Sequence, residues 1–164
     1  MAARLLTPAL LLGLLSVAST RAEELAVVVN PGNAVDTLST ADLREILLME
    51  RQHWPAGGRI YLLVPGTGTP GKTALLQRVL RMGDDDLKRH YLAKLYAGEI
   101  SSFPRVTSSS VAAQRTVARA ANAIAVVEVA ILDDSVKVLK IDGRGPGEAD
   151  YILGPSRSVR REVE

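Results

Sequence analysis

The 164-residue chain contains no cysteine, and only 4% of its residues are aromatic. The absence of cysteine excludes a disulfide scaffold and a zinc site built on thiolates. No charge of one sign dominates, because 20 Lys and Arg stand against 18 Asp and Glu, so the composition does not indicate a general nucleic-acid binder. The 47% of hydrophobic residues and the length fit one globular domain rather than a disordered chain.

The first 22 residues have the pattern of a secretory signal peptide. Arg4 precedes an apolar run from Leu5 to Val17, and small residues lead to a cleavage site after Ala22. The run has about 13 residues, fewer than the roughly 20 that span a bilayer, so a retained membrane anchor is the weaker alternative. Cleavage would remove Arg4 and Arg21 and leave a chain without net formal charge. We therefore expect a periplasmic or secreted protein.

Apolar periodicity predicts an α/β domain over residues 23–154, followed by a charged tail over residues 155–164. The expected architecture is a mixed sheet flanked by helices. Predicted strands cover Leu25–Val29, Ile60–Val64, Ala123–Val127 and Val136–Ile141. Predicted helices cover Thr40–Met49, Lys72–Met82, Asp84–Ala97 and Val111–Ala121. The acidic triplet Asp84–Asp86 is expected to cap its helix.

The segment Gly66–Thr73 matches G-x-x-x-x-G-K-T, the phosphate-binding loop pattern, between a predicted strand and a predicted helix. Glycines let backbone N–H groups converge there, and a helix N-terminus adds positive potential. Three interpretations stay open: a nucleotide site with Asp142 as the Mg²⁺-binding acid, a bare turn, and an oxyanion site without hydrolysis. Export disfavours the first. The candidate ligand residues are Gly66, Thr67, Gly68, Thr69, Gly71, Lys72 and Thr73, with Lys72 the weakest of them because it could be solvated.

Two serine-rich segments are secondary candidates for the same anion. Ser39 and Thr40 can add hydroxyls from the first helix, although a capping role is the simpler expectation. Ser108 and Ser109, beside Ser110, form either a helix cap or a second hydroxyl cluster that faces the loop. No nucleophile elbow surrounds these serines, and the two histidines have no metal-binding spacing. We therefore expect no catalytic residue, no metal and no cofactor.

Five stretches in a fixed order carry a resemblance to one protein family. They are Val27–Pro31 with Leu38–Ile46, Trp54–Pro55, Gly66–Thr69, Tyr91–Arg105 and Asn122–Val127. Together they resemble the phosphate-binding members of the periplasmic substrate-binding protein superfamily, with segments such as "V-x-V-N-P … L-S-x-x-x-L-x-x-I-F" and "G-A-I-G-Y-V". The resemblance covers most of the chain after the leader.

The resemblance implies one lobe of a type II periplasmic binding protein, because full-length members clamp the anion between two lobes. It implies a non-catalytic domain that binds phosphate or a similar oxyanion weakly, with an ABC-type membrane transporter or a second protein lobe as partner and no nucleic acid. Leu63 and Pro65 stand where the family has Arg and Asp, and Ala125–Val126 replaces a Gly-Tyr pair. The alternative is a periplasmic scaffold or sensor domain without a tight ligand.

Overall fold

Strand β1 (Leu25–Val29) is buried at all five positions, which explains its unbroken apolar sequence. Its odd-numbered residues face one apolar core and its even-numbered residues face a second core across the sheet. The computed structural model describes residues 24–155. The predicted leader over residues 1–22 lies outside this range, as does the predicted tail over residues 155–164 apart from its first residue.

The main sheet is mixed, as predicted. Its further strands are β3 (Tyr61–Pro65), β4 (Arg105–Thr107), β5 (Ala123–Glu128) and β6 (Lys137–Val138). They lie in the order β4-β3-β5-β1-β6, in which β3 is parallel to β4 and β5, whereas β1 is antiparallel to β5 and β6. Two short strands, β2 (Thr37–Leu38) and β7 (Lys140–Ile141), form a separate parallel pair.

Helices cover both faces of the sheet. On the first face lie α1 (Thr40–Leu47), α2 (Pro70–Ala74) and α3 (Asp84–Tyr96), while α4 (Ser110–Arg119) covers the second. Helix α2 continues into a π-helical segment, Leu75–Leu80. Among the helices between residues 24 and 155, none has the length and apolar character needed to cross a bilayer.

The expected strand Val136–Ile141 is wrong as a single element. It is divided at Leu139, whose N–H donates to the Val27 carbonyl at 2.9 Å. Strand β6 before it pairs with β1, whereas β7 after it pairs with β2. Strands β2 and β4 were not predicted, because a two- or three-residue strand carries too little periodicity to be recognised.

Two helix starts illustrate how local chemistry fixes the elements. Helix α3 begins after Gly83, whose N–H donates to the Asp86 carboxylate at 3.3 Å, so the acidic triplet contributes a cap from the first turn. Helix α2 begins at Pro70, two residues before the predicted start. Proline suits the first turn because its missing N–H would have no intrahelical partner there.

Candidate functional site

An open cleft of about 280 Å³ lies where strands β3, β4 and β5 end. These three strands are parallel, so their carboxyl ends meet at one edge of the sheet, the usual place for ligands in α/β folds. Helices α2 and α4 begin at the same edge. Hydroxyl groups line the cleft from Thr69, Thr107, Ser108, Ser109 and Ser110. Apolar lining comes from Leu25, Pro65, Pro70, Val111, Val126 and Ile131.

The predicted anion loop forms one wall of this cleft through Thr69 and Gly71. The Thr69 hydroxyl donates to the Gly66 carbonyl at 2.8 Å and accepts from the Lys72 N–H at 3.2 Å, so it caps α2. Gly68 has φ +82°, a left-handed conformation that L side chains rarely adopt. The Thr73 hydroxyl donates to the Thr69 carbonyl at 3.2 Å. The loop is therefore held by its own threonines.

Gly71 is required for packing as well as for the turn. A Cβ atom at this position would lie 3.2 Å from Cγ of Pro65, which is closer than ordinary contacts allow. The absent side chain lets α2 approach the end of β3 and places the backbone of Gly71 in the cleft wall. A close approach of this kind is a common reason for a glycine at a helix start.

Lys72 does not point into the cleft. Its side chain is 11% exposed, and Nζ lies 3.5 Å from Oδ1 of Asp84, the first residue of α3. Lys88 and Thr67 also contact Asp84, at 3.0 and 3.2 Å. The hydrogen bond from Lys88 lowers the pKa of Asp84, and the charge of Lys72 and the Thr67 hydroxyl lower it further. The loop pattern would place the Lys72 ammonium on a phosphate, but here this ammonium is paired with Asp84. The alternative expectation, that the Lys72 side chain is solvated, is wrong.

The N-terminus of α4 forms the opposite wall of the cleft. The Ser109 hydroxyl caps the helix by accepting from the Ala112 N–H at 3.2 Å. The Ser110 hydroxyl lies 3.4 Å from both Oε1 and the backbone N–H of Glu128. Ser108 completes this wall. The structure therefore combines the two roles that the sequence left open, because these serines both cap a helix and face the anion loop.

Three backbone N–H groups remain available at the two helix starts. Within residues 24–155, no acceptor takes a hydrogen bond from the N–H of Gly71, Ser110 or Val111. The first N–H groups of a helix have no intrahelical acceptor and carry partial positive charge. All three residues line the cleft, so its polar character comes from backbone donors and hydroxyls.

Ser39 and Thr40 are not part of this cleft, and their hydroxyls are already used. The Ser39 hydroxyl donates to the Asp42 carboxylate at 2.7 Å. The Thr40 N–H and hydroxyl donate to the Asp142 carboxylate at 2.9 and 2.5 Å. These bonds lower the pKa of Asp142, the side-chain bond most strongly. The chain's own carboxylates thus occupy the N-terminus of α1, and the Ser39–Thr40 pair is wrong as an anion site.

Neither of the two charged residues that the nucleotide interpretation requires faces the cleft. Lys72 is paired with Asp84, and Asp142 caps α1 rather than facing the loop. In the described part of the chain, no cluster of three His, Asp or Glu residues could hold a metal ion. Trp54 is 4% exposed and donates from Nε1 to the Asn122 carbonyl at 3.1 Å, so this aromatic side chain packs in the core.

Glu128 is the residue that the sequence analysis missed. It ends β5, and of the cleft-lining residues in the described part of the chain it alone has a charged side chain. The predicted strand stopped one residue earlier, at Val127. Strand β5 is parallel to β3, the strand before the anion loop, so the ends of both strands meet at one edge of the sheet. An acidic residue at the end of β5 could therefore have indicated a carboxylate beside the loop.

A scan against protein-family models and a search of curated proteins give no match. Solved structures do match. The chain aligns with a phosphate ABC transporter substrate-binding protein with bound phosphate from Clostridium perfringens at TM-score 0.60 and 19% identity, over 74% of this chain and 46% of that one. An ABC-type phosphate transport receptor from Vibrio cholerae gives TM-score 0.60, 17% identity and coverages of 74% and 47%. PstS from Borrelia burgdorferi aligns at TM-score 0.60 and 12% identity, over 76% of this chain and 49% of that one.

These likenesses confirm the predicted fold, and at such low identity they show the fold alone. The chain spans about half the length of the solved structures that it matches. Its mixed sheet flanked by helices therefore corresponds to one lobe of a phosphate-type periplasmic binding protein. The structural neighbours carry names for binding and transport rather than for catalysis.

Proposed function

We propose that this protein is an exported, non-catalytic binding domain that takes phosphate or a similar oxyanion into the cleft between α2 and α4. The observation that carries the proposal is the convergence of three backbone donors, from Gly71, Ser110 and Val111, in one cleft. The hydroxyls of Ser108 and Ser109 line the same cleft and donate to no acceptor within residues 24–155, whereas those of Thr69, Thr107 and Ser110 donate to the chain itself. Oriented N–H groups at helix starts bind anions without any enzymatic step. Structural neighbours that are named for phosphate binding and transport support the same assignment.

The partners follow from the same comparison. A substrate-binding protein and a transport receptor for phosphate share this fold, so we propose an ABC-type membrane transporter as the downstream partner. The chain spans about half of those proteins, and a second protein lobe would enclose an anion that the open cleft leaves partly hydrated.

The charge balance of the cleft predicts weak binding. Among the lining residues that belong to the described range 24–155, none is Lys, Arg or His. Leu63, at the position where the resembled family has Arg, is 1% exposed in the core under α4. Charge-assisted hydrogen bonds are about twice as strong as neutral ones, and this cleft offers an anion none from a side chain. The carboxylate of Glu128 also repels a fully ionised anion.

Thermal unfolding of the purified protein tests the proposal. A ligand that binds only the folded state adds about 1.4 kcal/mol at ten times its Kd, which raises Tm by several degrees in a domain of this size. We expect phosphate to raise Tm at millimolar concentration and Mg-ATP at matched ionic strength to add nothing beyond it. A Tm that stays constant in phosphate would contradict the proposal.

A matched pair of glycine variants assigns the effect to the loop. Gly68 and Gly57 both have positive φ, +82° and +95°, and a Cβ atom at either position would meet open space. Alanine at each should therefore cost a similar amount of stability, about 1 kcal/mol. Only Gly68→Ala should weaken the phosphate-induced rise in Tm, because it distorts the turn before Thr69. An equal response in both variants would remove the loop from the site.

A scaffold or sensor domain is the second candidate, and one observation favours it. The only ammonium of the loop, on Lys72, is committed to Asp84. A domain that had lost its ligand would keep the fold while its charged groups paired internally in this way. Under this candidate, no small anion changes Tm, and the cleft serves as a surface for another protein.

A further inference from the structure

The last described residues lie beside the cleft. The N–H of Leu25, the first residue of β1, donates to the Leu153 carbonyl at 3.2 Å. The side chain of Leu25 lines the cleft, and its Cδ2 atom lies 3.9 Å from the position that a Cβ atom of Gly71 would take. Pro155, which is exposed, follows two residues after Leu153. The segment over residues 156–164 therefore leaves the described fold next to the cleft.

The place of departure is fixed by hydrogen bonds. The Gly154 N–H donates to the Tyr151 carbonyl at 3.0 Å, and the Gly154 carbonyl accepts from the Arg78 guanidinium. Across the sheet, Leu25 pairs with Glu128. Since neighbouring strands lie about 5 Å apart, the backbones next to Leu25 on its two sides are separated by about 10 Å. Five extended residues span about 16 Å, so residues 156–160 are long enough to cross the cleft.

The charge of this segment is complementary to that of the cleft. Residues 156–161 contain three arginines and no acid. Glu128 is the charged residue among the described residues that line the cleft, and within residues 24–155 no cationic side chain pairs with it. The Ser110 hydroxyl donates to Oε1 of Glu128, so Oε2 can still accept from a guanidinium. Opposite charges therefore face each other across a short length of chain.

The apolar lining of the cleft matches a second property of the segment. Six apolar residues contribute to the lining, and one of them, Val111, is 45% exposed. In an extended chain, alternate side chains share a face, so Arg157, Val159 and Arg161 would project together. Val159 then stands between two arginines, as the cleft has apolar surface beside one carboxylate. Removal of such surface from water favours contact.

We propose that residues 156–161 bind in an extended conformation in the cleft between α2 and α4 of the same chain, with Val159 on the apolar lining and an arginine on Glu128. The inference goes beyond the proposed function, because it requires no anion. The segment and phosphate would compete for one cleft, so the chain's own tail would control access to the site.

Disulfide trapping tests the position of the segment, because the chain has no cysteine of its own. The test variant combines Val111→Cys with Ser158→Cys, which leaves Val159 and all arginines in place. The control combines Ala149→Cys with Ser158→Cys. Ala149 is exposed, lies outside the cleft lining and is closer to residue 158 in sequence, so a tail that does not bind would reach it at least as readily.

Under mild oxidation of the purified protein, the Val111 pair should form its disulfide about tenfold faster than the Ala149 pair. A ratio of this size is expected when one valine side chain is buried, and non-reducing electrophoresis measures both rates. Equal rates in the two pairs would overturn the inference.

A charge in the tail tests the role of Val159. Adding Val159→Asp to the Val111 pair should reduce its rate to that of the Ala149 pair, because a carboxylate would meet apolar surface and Glu128. The matched control is Val163→Asp, the same substitution beyond the bound segment, which should leave the rate unchanged. An unchanged rate with Val159→Asp would also contradict the inference.

Two further outcomes distinguish other occupants of the cleft. A mixture of the single variants Val111→Cys and Ser158→Cys should form covalent dimers much more slowly than the double variant forms its internal disulfide. Equal rates would assign the segment to a second copy and overturn the inference. Phosphate should slow the Val111 pair and leave the Ala149 pair unchanged. A preference for Val111 that persists fully in phosphate supports the tail and counts against the proposed function.

Discussion

Helices α1 and α4 begin with similar sequences and differ in what their N-termini can bind. Each has a serine cap whose hydroxyl accepts from the N–H three residues later, at 3.0 Å for Ser39 and 3.2 Å for Ser109. In α1 the next N–H, of Thr40, is taken by Asp142 from the far end of the domain. In α4 the corresponding N–H, of Ser110, opens into the cleft.

The comparison shows that the cap motif does not decide whether a helix start can bind a ligand. The difference lies in Asp142, 102 residues away in the sequence, which accepts from both the N–H and the hydroxyl of Thr40. The carboxylate at α4, of Glu128, accepts from the Ser110 hydroxyl, and within residues 24–155 the Ser110 N–H has no acceptor. A tertiary contact thus closes one of two similar helix starts, while the other keeps backbone N–H groups that face the cleft.

Among the tests of the difference between the starts of α1 and α4, removal of Asp142 should have the largest effect. Asp142→Ala deprives Thr40 of the acceptor for its N–H and hydroxyl, and it places alanine at φ +52°, so we expect a loss of about 2 kcal/mol. Urea unfolding measures it. The exposed Asp134→Ala is the control and should change stability by less than about 0.5 kcal/mol. Equal losses in the two variants would show that the cap adds nothing.

Removal of either serine cap should reduce the stability less than Asp142→Ala does. Ser39→Ala and Ser109→Ala each remove one cap hydroxyl, so each should destabilise the protein by about 1 kcal/mol in urea unfolding. Their ligand responses should differ. Only Ser109→Ala should reduce the rise of Tm in phosphate, because α4 faces the cleft and α1 does not. A reduced response in Ser39→Ala would contradict the assignment of α1 as closed.

Protonation of Asp142 in acid should have the smallest effect on the difference between the two helix starts. Hydrogen bonds from Thr40 hold the folded-state pKa of Asp142 below its ordinary value of 3.8. The resulting stabilisation is complete above the unfolded-state pKa and disappears as pH falls through the folded-state value. It should amount to less than about 1 kcal/mol, because the carboxylate is exposed.

Urea unfolding of the wild type and Asp142→Asn, at pH values from about 6 down to about 3, measures this contribution. The stability difference between the two proteins should shrink toward the acid end. A difference that is independent of pH would show that the charge of Asp142 does not contribute.

The long apolar elements were predictable from the sequence, whereas the short strands were not. Strand β1 was predicted with its observed ends, and α1 and α3 start where expected, because apolar periodicity and capping residues act locally. The division of Val136–Ile141 was missed because it depends on two different partner strands. Pairing of this kind has no local pattern.

For the candidate site, the loop and the serines were predictable and their charges were not. Thr69, Gly71, Ser108 and Ser109 do meet at one cleft. The partner of Lys72 depends on how α3 packs beside α2, and Glu128 enters through strand order. Sequence patterns identify residues that are able to bind an anion, but only the fold shows which charged residues are already paired.

The position of β1 inside the sheet has a consequence for how the protein acquires its structure. Leu25 pairs with Glu128, and Val28 pairs with Val138, roughly 100 positions later. Contacts of such long sequence separation slow folding, because a large loop must close before they form. During synthesis, the first strand emerges long before either of its neighbours exists. Its five apolar residues must therefore stay unpaired until the last third of the domain has been made, and refolding should be slow and sensitive to aggregation.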